Sequence, residues 1–109
     1  MRIAIIGSRS LSFSSFENYV TPHDEIISGG ASGIDTCAMN YAKSKGIPFI
    51  EIKPDYKKYG RAAPIVRNKE IVSLADKIIA IWDGKSKGTL FVINYATKLG
   101  KDCEVILIS

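Results

Sequence analysis

The chain has 109 residues, a hydrophobic fraction of 46% and a formal net charge of +4. A domain of this length buries its own core, and this composition excludes an intrinsically disordered protein. Two cysteines and one histidine are too few for a disulfide framework or a four-ligand zinc site, and no apolar run approaches the roughly 20 residues of a membrane span. We therefore expect one cytoplasmic domain, residues 1–109, with no signal peptide, membrane segment, metal or cofactor. Its positive charge favours anionic partners.

Short apolar runs alternate with segments of helical periodicity along the whole chain. In chain order the predictions are strand 2–6, helix 13–20 with Ser12 or Ser14 as its cap, strand 25–28, helix 33–45, edge strand 47–52, irregular segment 53–64, helix 65–74, strand 77–82, helix 87–99 and strand 103–108. Strands separated by helices imply right-handed parallel crossovers. The sequence thus predicts an α/β fold, Rossmann-like and doubly wound, with three layers and about five parallel strands.

Three glycine-bearing turns follow predicted strands. Their candidate ligand-binding residues are Gly7, Ser8 and Arg9 in the first turn, Gly29, Gly30, Ala31 and Gly33 in the second, and Gly84, Ser86, Gly88 and Thr89 in the third. Small residues before a helix let backbone amides approach a phosphate, and the carboxyl ends of parallel strands share one sheet edge. The second turn has neither the dinucleotide spacing nor the P-loop lysine. We expect the turns to converge on one anion site.

Several charged side chains accompany these turns. Arg9 either clamps a phosphate or pairs, as a surface arginine, with Asp24 or Asp35. Asp35 either favours the dipole of its own helix or hydrogen-bonds a ribose hydroxyl or a loop amide. Asp35 and Asp83 are the candidate catalytic carboxylates.

Arg67 and Asn68 are predicted to begin a helix and to bind the ligand. The positive end of the helix dipole disfavours an arginine there, so an acidic side chain or a bound phosphate should compensate. The basic stretch 53–67 also contains Tyr56 and Tyr59. This interleaving suits a phosphate or a stacked base, and it equally suits an ordinary surface loop.

Taken in order, these motifs resemble the YspA/YpsA-related branch of the SLOG superfamily, which is related to the core of the DNA-processing protein A family. The segments that carry the resemblance are 6–9, 28–38, 59–63, 67–68, 75–76 and 82–89. The resemblance implies a nucleotide or nucleotide-derived phosphate ligand, sensed or processed at the carboxyl edge of the sheet. It also implies a homodimer, because relatives of this fold often pair through helices.

The superfamily also contains cytokinin-activating phosphoribohydrolases, which cleave the N-glycosidic bond of nucleoside monophosphates. Arg67, Asp76 and the pair Gly88–Thr89 match their pattern, but Val92 stands where they have a catalytic glutamate. Hydrolysis would then require Asp35 or Asp83 as a substitute. The DNA-processing relatives imply single-stranded DNA as a further alternative, although aromatic residues for a base-stacking track are sparse here.

Overall fold

Residues 1–30 and 32–108, which a computed structural model describes, contain one sheet of five parallel strands. The strands are β1 (Arg2–Gly7), β2 (Glu25–Ser28), β3 (Phe49–Glu51), β4 (Lys77–Trp82) and β5 (Asp102–Leu107), in the order β3-β2-β1-β4-β5. From β1 the chain crosses to β2 on one side, and from β4 it crosses to β5 on the other. The strand order therefore reverses between β1 and β4, and the predicted α/β fold is confirmed.

Helices cover both faces of this sheet. They are α1 (Ile34–Lys45), the single turn α2 (Tyr56–Tyr59), α3 (Ala63–Leu74) and α4 (Lys87–Lys98). Because successive strand residues point to opposite faces, Ile3 and Ile5 pack in the core with α1, whereas Ala4 and Ile6 pack in a second core with α3 and α4. The result is the expected three-layer arrangement.

The predicted helix 13–20 is wrong in extent. Only Phe16–Asn18 form a turn of 3-10 helix, preceded by Ser15 and not by a capping Ser12 or Ser14. The Phe16 ring is buried and lies 5.0 Å from the Phe13 ring, centroid to centroid. Aromatic and serine residues have modest helix propensity, so the burial of one ring determines the path of this segment.

The segment 53–64 is not irregular as predicted, because it contains two helical turns and the start of α3. The Asp55 carboxylate accepts a hydrogen bond from the Lys58 amide at 3.1 Å and caps α2, and a 3-10 turn, Gly60–Ala62, leads into α3. Pro64 lies in the first turn of α3, where a proline costs no hydrogen bond. Arg67 is therefore in the second turn of its helix and does not begin it.

We expect Gly33→Ala to lower the free energy of unfolding by about 1–3 kcal/mol. Gly33 has φ +75° and an added Cβ would overlap the backbone of Arg9, so strain and close contact act together. Gly88→Ala is the matched control, because an added Cβ there meets nothing within 4 Å and alanine favours a helix. Urea unfolding measures both changes, and equal stability of the two variants would contradict this account of the turn.

Candidate functional site

A cavity of about 420 Å³ opens at the carboxyl edge of the sheet, beside the ends of β1 and β4. The three turns converge on it as predicted. The sequence-predicted residues that line it are Gly7, Ser8, Arg9 and Gly29 from the strand ends, Asp35 from α1, Arg67 and Asn68 from α3, and Asp83, Ser86, Gly88 and Thr89 from β4–α4. These residues come from five separate parts of the chain, so the fold and not local sequence assembles the cavity.

Three predicted glycines lie outside the lining and shape the turns behind it. Gly30 (φ +74°) faces the Glu51 carboxylate, with 2.7 Å between an ideal Cβ and the nearer oxygen. Gly33 faces the Arg9 backbone, and Gly84 (φ +80°) is exposed near Leu107. Ala31, also predicted to bind the ligand, lies outside the described residues.

The cavity also has an apolar wall that the sequence reasoning missed. Its members are Ile6, Pro64, Ile71 and Val92, and Ser10 adds a hydroxyl at the mouth. A signal for two of them was present, because Pro64 and Ile71 lie three residues before and four residues after Arg67, a spacing that shares one helix face. An apolar wall opposite amides and cations suits a ligand with a flat or apolar part.

Arg67 is held in the cavity by neutral oxygen acceptors. Its Nη1 donates to the Gly29 carbonyl at 2.7 Å, and its Nε donates to the Asn68 side-chain oxygen at 2.8 Å. These acceptors replace the acidic partner or phosphate that we expected to compensate the helix dipole. A guanidinium has five N–H donors, so donors and a full positive charge remain for an anion.

Arg9 is an exposed residue of the cavity lining. The ion pairs found within residues 1–30 and 32–108 do not include it. Its alternative pairing with Asp24 is wrong, because Asp24 contacts the amino terminus at 3.1 Å and Thr21 at the opposite sheet edge. Arg9 thus adds a second cation to the cavity.

Asp83 organises the loop before α4. One carboxylate oxygen accepts the backbone N–H groups of Lys85 and Ser86, both at 2.8 Å. These hydrogen bonds, that of Ser86 first, hold the pKa of Asp83 below its ordinary value of 3.8. The Asp83 amide in turn donates to the Ser8 hydroxyl at 3.2 Å, which joins this loop to the end of β1. An ionised, hydrogen-bonded carboxylate is a weak proton acceptor, so Asp83 is better suited to hold a loop or a hydroxyl than to act as a base.

We expect Asp83→Asn to lower the melting temperature at pH 7, and we expect the difference from wild type to shrink on acidification. Because the folded-state pKa is depressed, the carboxylate stabilises the fold above pH 3.8 and loses this effect as pH falls through the lower folded-state value. Circular dichroism melts between pH 2 and 7 measure this, with the exposed Glu17→Gln as the control. A pH-independent difference would show that the charge of Asp83 is irrelevant to the loop.

Ser86 caps α4. Its hydroxyl oxygen accepts from the Thr89 amide at 3.4 Å and from the Thr89 hydroxyl at 3.2 Å. The Lys85 and Ser86 amides donate to Asp83, and the Thr89 amide donates to Ser86. At the start of α4, these contacts leave the amides of Lys87 and Gly88 to bind another acceptor. Such N–H groups, at the positive end of the helix dipole, are donors for an anion.

Residues 17–59 match the model of YAcAr, the YspA, cpYpsA-related SLOG family. The match confirms the resemblance read from the motifs, and it spans less than half of the chain, from the turn before β2 to α2. At a coarse level it indicates nucleotide-related binding or processing. No curated protein and no solved structure matches the chain significantly.

The structure separates two residues of the pattern seen in the cytokinin-activating phosphoribohydrolases. Asp76 lies at the opposite sheet edge, where its carboxylate accepts the Arg2 amide at 2.8 Å, so it does not reach Arg67 in the cavity. Val92, at the glutamate position, lies in the cavity wall and is 2% exposed. Asp35, 6% exposed in the first turn of α1, is the buried carboxylate of the lining.

Residues 1–30 and 32–108 hold no group of three or more histidine, cysteine, aspartate or glutamate side chains that could bind a metal ion. None of the helices in these ranges has the length and apolar character needed to cross a membrane.

Proposed function

We propose that this chain binds a nucleotide or nucleotide-derived phosphate ligand in the cavity at the carboxyl edge of the sheet, to sense or process it. One observation carries the proposal: two guanidinium groups and the amides at the start of α4 surround a single cavity at the point where strand order reverses. Its volume, about 420 Å³, falls within the roughly 300–1,000 Å³ of small-molecule sites.

The parts of the cavity suit the parts of a nucleotide. A phosphate fits between Arg67, Arg9 and the helix-start amides of Lys87 and Gly88, which supply charge-assisted hydrogen bonds. The base packs against the apolar wall, and the carboxylates of Asp35 and Asp83 accept hydrogen bonds from ribose hydroxyls. Since two arginines face two aspartates, the lining is close to neutral, and directed hydrogen bonds rather than net charge provide the binding.

Calorimetric titration with AMP, ADP, ADP-ribose, NAD and inorganic phosphate tests the proposal. We expect at least one nucleotide to bind more tightly than inorganic phosphate, because only a nucleotide also contacts the apolar wall. Lys98→Ala, in the last turn of α4, should leave that binding unchanged. Heats of dilution alone for every nucleotide would refute the proposed function.

A second candidate function, hydrolysis of the N-glycosidic bond of a nucleoside monophosphate, is favoured by the burial of Asp35 in the same cavity. A carboxylate in this position could stabilise a developing oxocarbenium ion. The test is whether the protein releases free adenine from AMP, as measured by chromatography. Asp35→Asn is expected to be inactive. Nucleotide binding without base release would reject this candidate and retain the first.

Single-stranded DNA as a partner and assembly into a homodimer are two further proposals. DNA binding predicts affinity that falls steeply with salt as counterions are released, whereas a salt-independent signal would reject it. Sedimentation equilibrium over a range of protein concentrations decides between a monomer and a homodimer.

A further inference from the structure

The segment 53–61 carries most of the chain's excess positive charge. It holds the cations Lys53, Lys57, Lys58 and Arg61 against the single carboxylate of Asp55, which leaves three of the four net charges of the chain in nine residues. All five side chains belong to exposed residues. Because the two arginines and two aspartates of the cavity lining balance, this segment is more positive than the cavity.

Two exposed tyrosines lie among these cations. Tyr56 is 59% exposed and Tyr59 is 41% exposed. The Lys58 ammonium lies 5.2 Å from the centre of the Tyr59 ring, and the Asp55 cap holds this stretch in the ordered turn α2. Aromatic faces beside cations bind stacked bases and phosphates together.

Each end of the segment is connected to a residue that lines the cavity. At one end, the Lys53 ammonium pairs with the Glu51 carboxylate at 3.5 Å, and Glu51 lies against Gly30, next to Gly29 in the lining. At the other end, the chain passes through the 3-10 turn to Pro64, a member of the apolar wall. The segment therefore connects two parts of the chain that border the cavity.

We propose that the ligand carries a second nucleotide, joined through phosphate to the one in the cavity, and that this second nucleotide lies on segment 53–61. The inference rests on the proposed function. Lys57, Lys58 and Arg61 bind the linking phosphate, and Tyr56 or Tyr59 stacks the second base. Two tyrosines provide for one or two bases and not for a long track, so the segment favours a dinucleotide over an extended single strand.

Calorimetry with AMP, 5′-phosphorylated diadenylate, a pyrophosphate-linked diadenosine dinucleotide and a 5′-phosphorylated twelve-residue oligodeoxyadenylate tests this inference. We expect at least one dinucleotide to bind about tenfold more tightly than AMP, since stacking of a base supplies this order of affinity. The double variant Tyr56→Ala/Tyr59→Ala should reduce dinucleotide affinity to that of AMP and leave AMP binding unchanged. The two dinucleotides distinguish a phosphodiester from a pyrophosphate link.

Charge variants separate this contact from long-range attraction. Lys57→Glu/Lys58→Glu should weaken binding of the dinucleotide more than binding of AMP. The control, Lys43→Glu/Lys45→Glu, makes the same charge change at the end of α1, at the opposite sheet edge. It should affect the binding of both ligands little. Equal loss for AMP and dinucleotide in the first variant would overturn the inference. So would equal wild-type affinity for AMP and dinucleotides, or a much higher affinity for the oligonucleotide.

These outcomes are distinct from failure of the proposed function. If AMP binds and Arg67→Ala weakens that binding, but no dinucleotide binds better, the cavity site stands and the role of segment 53–61 is rejected. If neither AMP nor a dinucleotide binds, both proposals fail together.

Discussion

Arg67→Ala should weaken nucleotide binding roughly 10- to 150-fold. Hydrogen bonds to a charged group contribute about 1.5–3 kcal/mol, and this loss corresponds to that range of affinity. Arg67 is well placed for such a contact because its bonds to the Gly29 carbonyl and the Asn68 side chain fix the guanidinium before a ligand arrives. A group held in its binding geometry loses little entropy when the complex forms.

Calorimetric titration of the variant with the tightest-binding mononucleotide measures this effect, and Arg67→Lys should give an intermediate loss because it keeps the charge without the planar fork. A melting curve of each variant shows whether loss of the bond to Gly29 also affects stability. If Arg67→Ala bound the nucleotide with wild-type affinity, Arg67 would not contact the ligand.

Phe16→Ala is expected to have the largest effect on stability, a decrease of about 3–5 kcal/mol in the free energy of unfolding. The Phe16 side chain is 1% exposed, and its ring centre lies 5.0 Å from that of Phe13 and 5.4 Å from that of Tyr41 on α1. Removal of the ring leaves a cavity in the core that joins the β1–β2 connection to α1. That connection also contains Arg9 and Ser10 of the ligand cavity.

Urea unfolding gives the size of this decrease. Phe13→Ala is the comparison, because Phe13 is only partly buried against the same core and should cost less. If the two variants were equally stable, burial of the Phe16 ring would not be what holds the β1–β2 connection against the core.

The sheet and its long helices follow from the sequence because their signals are local. Strands buried on both faces appear as continuous apolar runs, and β2 and β4 begin and end at the predicted residues. Gly46, with φ +68°, ends α1 as a glycine in the left-handed region commonly does. The convergence of the three turns also follows, because parallel strands place their carboxyl ends at one edge.

The parts that the sequence did not reveal depend on contacts between distant residues. The partner of Arg67 is a backbone carbonyl 38 positions away, and a carbonyl has no signature in the residue types. Asp76 has the spacing from Arg67 that the phosphoribohydrolases show. Its carboxylate nevertheless accepts a hydrogen bond from the Arg2 amide at the start of β1, at the far edge of the sheet. The turn at Phe16 depends on aromatic rings that the fold brings together. The short helix α2 depends on one side-chain cap, that of Asp55, in a lysine-rich stretch.

Amide chemical shifts in a nuclear magnetic resonance titration with AMP test most directly whether the separate turns bind one ligand. The account predicts that the amides of Ser8, Gly29, Gly88 and Thr89 shift together along one saturation curve, while those of Gly46 and Gly100 do not move. Shifts confined to one turn, or centred on Glu25 and Asp76 at the opposite edge of the sheet, would contradict it.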